Sequence, residues 1–143
     1  MSIKQQIQAY IASLPQSKQT DMQQLHSSIL KLLPGCKLWF LDGRNSENKV
    51  VSNPNIGYGS YNIQYANGEA KEFYQIGISA NTSGISVYVM GLDDKTYLAQ
   101  TYGKKIGKAT VSSYCIKFKA VKDINTDVLT QAILFGYNAT KEK

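Results

Sequence analysis

The sequence predicts an α+β domain, an antiparallel β-sheet with one face covered by helices, in the order αα-β-ββ-β-α-β-α. Three observations predict it. Apolar residues recur at helical spacing near both ends of the chain. Short runs rich in aromatic residues lie between them, with the two-residue alternation of half-buried strands. Asn67-Gly68, a favoured hairpin pair, sits between two of those runs.

Ile3, Ile7, Tyr10, Ile11 and Leu14 form the stripe of a first short helix, which Pro15 ends. Ser17 is placed to cap a second helix with the stripe Met22, Leu25, Ile29 and Leu32, flanked by Leu33. Pro34-Gly35 stops it, so the chain opens with a helical hairpin. Residues 36–41 read as an aromatic-rich strand, and the polar stretch 42–54, with Gly43, Asn45, Asn48, Asn53 and Pro54, reads as a surface excursion.

The runs 58–65 and 70–79 flank Asn67-Gly68. A two-residue turn there sets Tyr61 opposite Tyr74, Ile63 opposite Glu72 and Gly59 opposite Ile76. One face then carries Tyr61, Ile63, Tyr65, Tyr74, Ile76 and Ile78, and the other is mostly polar, Gln75 included. Residues 84–90 give another strand. Asp93 or Asp94 can cap a short helix through Leu98 that Gly103 ends. Residues 112–119 alternate, with Tyr114, Ile116 and Phe118 on the side expected to be buried. Asn125 or Thr126 caps a last helix with Val128, Leu129, Ala132 and Ile133 inward, closed by Gly136.

With 143 residues and no linker or internal repeat, residues 1–143 are read as one domain. The composition, 43% apolar and 18% charged, is that of a globular chain. No apolar stretch is long enough to span a bilayer and the first residues lack a signal-peptide core, so the expected location is cytoplasmic, with no membrane partner. On that expectation the glycosylation-like triplets Asn81-Thr82-Ser83 and Asn138-Ala139-Thr140 are chance matches. The net charge of +6 concentrates only modestly, in Lys104, Lys105, Lys108, Lys117, Lys119 and Lys122. Such a cluster suits a solvated surface or a weak anion site and argues against nucleic acid.

Several strings, in order and spacing, resemble the YdhG-like family of small bacterial proteins over residues 5–136. They are Tyr10-Ile11-Ala12-Ser13-Leu14-Pro15, Leu32-Leu33-Pro34-Gly35, Gly84-Ile85-Ser86-Val87-Tyr88, Gly103 through Lys108, and the strand to Phe118 with its closing helix. The resemblance implies an antiparallel sheet backed by helices. It also brings in a frataxin-like iron chaperone role, held by at least one relative, which depends on exposed carboxylates. This chain departs from such a surface: it is basic, its first two helices hold one acid, Asp21, and Asp93-Asp94 is explained by a helix start.

The chemistry motifs are sparse. Residues 103–110, GKKIGKAT, miss the phosphate-loop spacing by one residue and follow a helix rather than a strand. A looser anion nest at Lys104, Lys105 and Lys108 remains. Cys36 and Cys115 lack metal-site spacing and read as small buried hydrophobes, with a disulfide between them disfavoured. No GxSxG elbow is present. Cysteine catalysis requires the single histidine, His26, to meet Cys36 or Cys115. Glu72 on an apolar face would need a partner or a raised pKa. Trp39, Tyr58, Tyr61, Tyr74 and Tyr88 can line a small-molecule pocket between sheet and helices.

These readings converge on a non-enzymatic binding domain without a cofactor, taking a small anionic or aromatic ligand or a protein partner. An iron chaperone is the second reading and a weak hydrolase-like enzyme the third. The sequence leaves monomer and homodimer open.

Overall fold

The helical hairpin forms as its two apolar stripes require. The structure, a computed structural model, describes all 143 residues. Helix α1 (Ile3–Ala12) starts in a reciprocal cap: Gln5 N–H donates to Ser2 Oγ at 3.1 Å, and Ser2 N–H to Gln5 Oε1 at 2.9 Å. Helix α2 (Gln16–Leu32) begins directly after Pro15, which stands at its N-cap in place of the expected Ser17. Ile7, Tyr10 and Ile11 from α1 and Met22, Leu25, Ile29 and Leu33 from the α2 side are buried, whereas Ile3 lies outside the stripe and is exposed.

Strands β1 (Leu38–Leu41), β2 (Asn55–Tyr58), β5 (Ile76–Asn81), β6 (Gly84–Val89), β7 (Ala109–Val111) and β8 (Cys115–Phe118) make one antiparallel sheet in the order β1-β2-β5-β6-β8-β7. Strands β3 (Tyr61–Gln64) and β4 (Ala70–Phe73) form a separate two-stranded ribbon. The α+β expectation, with helices over one sheet face, therefore holds, with eight strands where alternation alone showed five. Helix α3 (Tyr97–Tyr102) precedes β7, and α4 (Thr126–Thr140) closes the chain.

Register explains why one face is the core. Ile56 pairs with Ile78, Tyr58 with Ile76, Ile76 with Val89, Ile78 with Val87, and Val87 with Ile116. All six aliphatic members and Tyr58 are buried beneath the helices. Each large apolar side chain placed there stabilises the fold by about 1.5–3 kcal/mol. The opposite face carries Trp39, Gly57, Gly77, Tyr88 and Cys115. There the Tyr74 ring lies flat over two glycines: a Cβ on Gly57 or Gly77 would come within 2.6 or 2.5 Å of it.

The hairpin differs from expectation by one residue. The loop is Ala66-Asn67-Gly68, closed by Tyr65 N–H to Glu69 O at 2.9 Å and Gly68 N–H to Tyr65 O at 3.0 Å. Gly68 takes a φ of +87°, as in a turn followed by a bulge. Tyr61 thus faces Phe73, Asn62 faces Glu72, and Ile63 faces Lys71. A one-residue slip moves every side chain to the other face, so Glu72 leaves the apolar side.

Both long runs also break, at Gly59-Ser60 and Tyr74-Gln75. Gln75, expected on the polar side, is buried there and holds the kink. Its Oε1 accepts from Ser60 N–H at 3.0 Å, and its Nε2 donates to Tyr137 O and Thr140 Oγ1 at 2.9 and 2.8 Å. Towards the C-terminus, Tyr114 sits in the bend before β8 and is exposed rather than buried with Ile116 and Phe118. Thr96, not an aspartate, precedes α3, and Asp94 accepts from its N–H and hydroxyl. Asn125 caps α4 as expected, but the helix runs past Gly136 to Thr140.

Candidate anion-binding cleft

Four segments meet at one end of the main sheet. They are the first turns of α2, the β5–β6 turn, the residue before β7, and the stretch leaving β8. Together they enclose a cleft of about 740 Å³ lined by Ser17, Lys18, Asp21, Thr82, Ser83, Gly84, Lys108, Lys119, Ala120, Lys122 and Asp123. Ala120 is its one apolar residue.

Local chemistry places each part. No side chain caps α2. Its first-turn N–H groups, which have no partner inside a helix, therefore remain available where the cleft begins. Lys18 reaches across to donate to the Asn81 carbonyl. Asp21 Oδ2 accepts from Val121 N–H at 3.1 Å and ties α2 to the 3-10 turn Val121–Asp123. The β5–β6 turn is a two-residue hairpin, Thr82-Ser83, steadied by Asn81 Oδ1, which accepts from Ser83 N–H and Oγ at 3.0 and 2.8 Å. Lys108 N–H donates to Asp123 O at 3.0 Å. The approach depends on Gly107, whose Cβ would stand 2.7 Å from that same carbonyl.

Of the lysines singled out by sequence, Lys108, Lys119 and Lys122 enter the cleft, while Lys104, Lys105 and Lys117 do not. Ile106, fully buried, anchors the turn after α3, and Lys104 and Lys105 are left on its exposed side. Lys117 lies on the face away from the helices, opposite Ser86 and Thr110. Lys18 was not singled out by sequence, because nothing in its helix announces a neighbour 63 residues away. Thr82 and Ser83 were noticed only as part of a glycosylation-like triplet.

The aromatic candidates do not line a pocket between sheet and helices. Trp39, Tyr74 and Tyr88 occupy the opposite face, and the sheet–helix interface is filled by the core. Phe73 stacks on Tyr74 at 4.2 Å, Trp39 Nε1 donates to Gly59 O at 2.8 Å, and the Lys37 ammonium sits 4.5 Å from the Trp39 ring centroid. Tyr61 turns instead towards Gly91. Glu72 is exposed, paired with Lys37 at 2.8 Å and accepting from Ser60 Oγ at 2.5 Å. Those two contacts, Lys37 first, hold its carboxyl below the usual value.

His26 shares a cavity with a cysteine but makes its hydrogen bond elsewhere. It lines a cavity of about 360 Å³ with Cys36, Lys4 and Gln8. Its Nδ1 is engaged with the buried Tyr58 hydroxyl at 2.6 Å. Burial lowers the His26 pKa and raises that of Cys36, so both are held neutral, the reverse of a thiolate–imidazolium pair. Both cysteines are free. No group of three His, Cys, Asp or Glu side chains is arranged to hold a metal ion. No helix is long and apolar enough to cross a membrane.

No family model matches this chain, and no curated protein or solved structure matches it either.

Proposed function

We propose that this chain is a non-enzymatic binding domain whose ligand is a small anion held in the lysine-lined cleft. One observation carries the reading: Lys18, Lys108, Lys119 and Lys122 converge on one concavity, and none of the structure's three ion pairs neutralises them there. Cationic side chains gathered in a cleft focus potential and concentrate anions. The YdhG-like resemblance belongs to the same proposal, since one of its strings ends at Lys108. A cytoplasmic location is part of the same proposal.

Titration of the labelled protein with inorganic phosphate, followed by amide NMR, tests this. Saturable shifts are expected at Ser17, Lys18, Thr82, Ser83 and residues 119–123, with about millimolar affinity, because exposed charges are screened. The double change Lys119→Gln, Lys122→Gln should weaken binding about tenfold or more. Shifts centred on Lys104 and Lys105 instead would move the site to the loop after α3.

A further inference from the structure

The cleft holds a feature that a simple anion site would avoid. Asp21 and Asp123 stand among the four lysines, yet no lysine pairs with either. The Asp123 carboxylate has no hydrogen-bond partner, and Asp21 uses one oxygen, on Val121 N–H, and leaves the other unbonded. An ionised carboxylate only accepts hydrogen bonds. Towards phosphate alone these two groups are repulsive. Towards a ligand carrying hydroxyls beside its anionic group they supply the complementary acceptors.

Size and lining narrow the class further. About 740 Å³ is much more than one phosphate fills and falls within the range of small-metabolite sites. No aromatic side chain lines the cleft, so nothing there would stack on a nucleobase. Ser17 and Thr82 add hydroxyls that can donate or accept.

We infer that the cleft takes a phosphorylated sugar or polyol, its phosphate on the lysines and its hydroxyls donating to Asp21 and Asp123. This rests on the anion-binding reading above and adds the class of ligand. Lys119 and Lys122 bracket Ala120 and Val121 at the exit of β8, and Asp123 follows directly, so charge recognition and hydroxyl recognition sit on one short segment. That segment is tied to α2 through Asp21 and to the β7 approach through Lys108, which fixes the spacing of donors and acceptors before any ligand arrives.

The test is a set of NMR titrations with inorganic phosphate, glucose 6-phosphate, glucose and phenyl phosphate. Glucose 6-phosphate should bind about tenfold tighter than phosphate, since added hydrogen bonds to charged acceptors carry that much selectivity. Glucose alone should not bind measurably, and phenyl phosphate, which carries an aromatic ring and no hydroxyl, should bind no tighter than phosphate. Asp123→Asn should reduce the glucose 6-phosphate affinity towards that of phosphate while leaving phosphate affinity equal or higher. Lys119→Gln should weaken both. Equal affinity for phosphate and glucose 6-phosphate, or preference for phenyl phosphate, would overturn the sugar inference while leaving the anion site standing. Failure of phosphate to perturb any cleft residue would remove both. Amide dispersion of each variant shows whether it is folded, and a titration with galactose 6-phosphate repeats the comparison without a substitution.

Discussion

At the scale of single residues, His26 shows most directly how packing changes a side chain's chemistry. It is the only histidine, it is half-buried on α2, and its Nδ1 meets the Tyr58 hydroxyl at 2.6 Å in the core. Burial disfavours its charged form, so its folded pKa lies below the unfolded value. Over the interval between the two values the unfolded chain binds more protons than the folded one. Stability should therefore be fully present above about pH 6.5 and fall as the pH drops through that interval. Urea unfolding at about pH 7.5 and pH 5.5 reads this without the carboxylates, whose lowered values at Glu72 and Asp94 matter only at more acid pH. The midpoint should drop at the lower pH, and His26→Gln should remove most of the drop. An unchanged pH dependence in the variant would mean that another group titrates. His26 lies mid-helix on α2, and its tyrosine partner, 32 residues away, leaves no local trace in the sequence.

Elements were legible where one force dominates. The stripes of α1, α2 and α4, the strand at β6 and the Asn125 cap all follow from periodicity or capping chemistry, which act over a few residues. The hairpin shows the limit. Asn-Gly permits two solutions, a two-residue turn and a three-residue loop ending in a bulge, and they differ by one residue of register. The choice is made by the kink, where Gln75 is bound to Tyr137 and Thr140 of α4, far outside the hairpin's own sequence. Once Gln75 is fixed inward, Glu72 must face solvent. The breaks that turn two runs into four strands have the same origin. A pair of substitutions distinguishes the two loops. In the observed one only Gly68 has a positive φ, while a two-residue turn would require it at Asn67 as well. Gly68→Ala should cost about 1–2 kcal/mol, the usual penalty for a side chain in the left-handed region. Asn67→Ala should cost well under half of that, losing only an exposed bond to Glu69 N–H. Equal losses at the two positions in urea unfolding would restore the shorter turn and the pairing of Tyr61 with Tyr74.

At the scale of the whole molecule the question is what a net charge of +6 does. Counted along the chain, six lysines between Lys104 and Lys122 form one cluster, and a single basic patch is the natural expectation. Folding divides them. Lys104 and Lys105 stay on the exposed turn after α3, Lys117 goes to the face away from the helices, and Lys108, Lys119 and Lys122 join Lys18 in the cleft with two carboxylates. Strand alternation and the buried anchor at Ile106 make that division, and neither carries its consequence in the lysines themselves. Duplex binding needs many phosphates neutralised along a continuous track, whereas exposed charges further apart than about 8–10 Å are screened from one another at physiological salt. No helix here presents a row of basic residues to a groove: α2 and α4 hold Lys18 and Lys31 and no lysine or arginine, respectively. A fluorescent duplex titrated at about 50 mM salt should therefore bind weakly, and binding should vanish by about 200 mM. Lys104→Glu with Lys105→Glu should weaken the residual low-salt binding while leaving the phosphate shifts in the cleft unchanged. Submicromolar binding that persists at the higher salt, and that the same double change abolishes, would make nucleic acid the partner and reduce the cleft to a secondary feature.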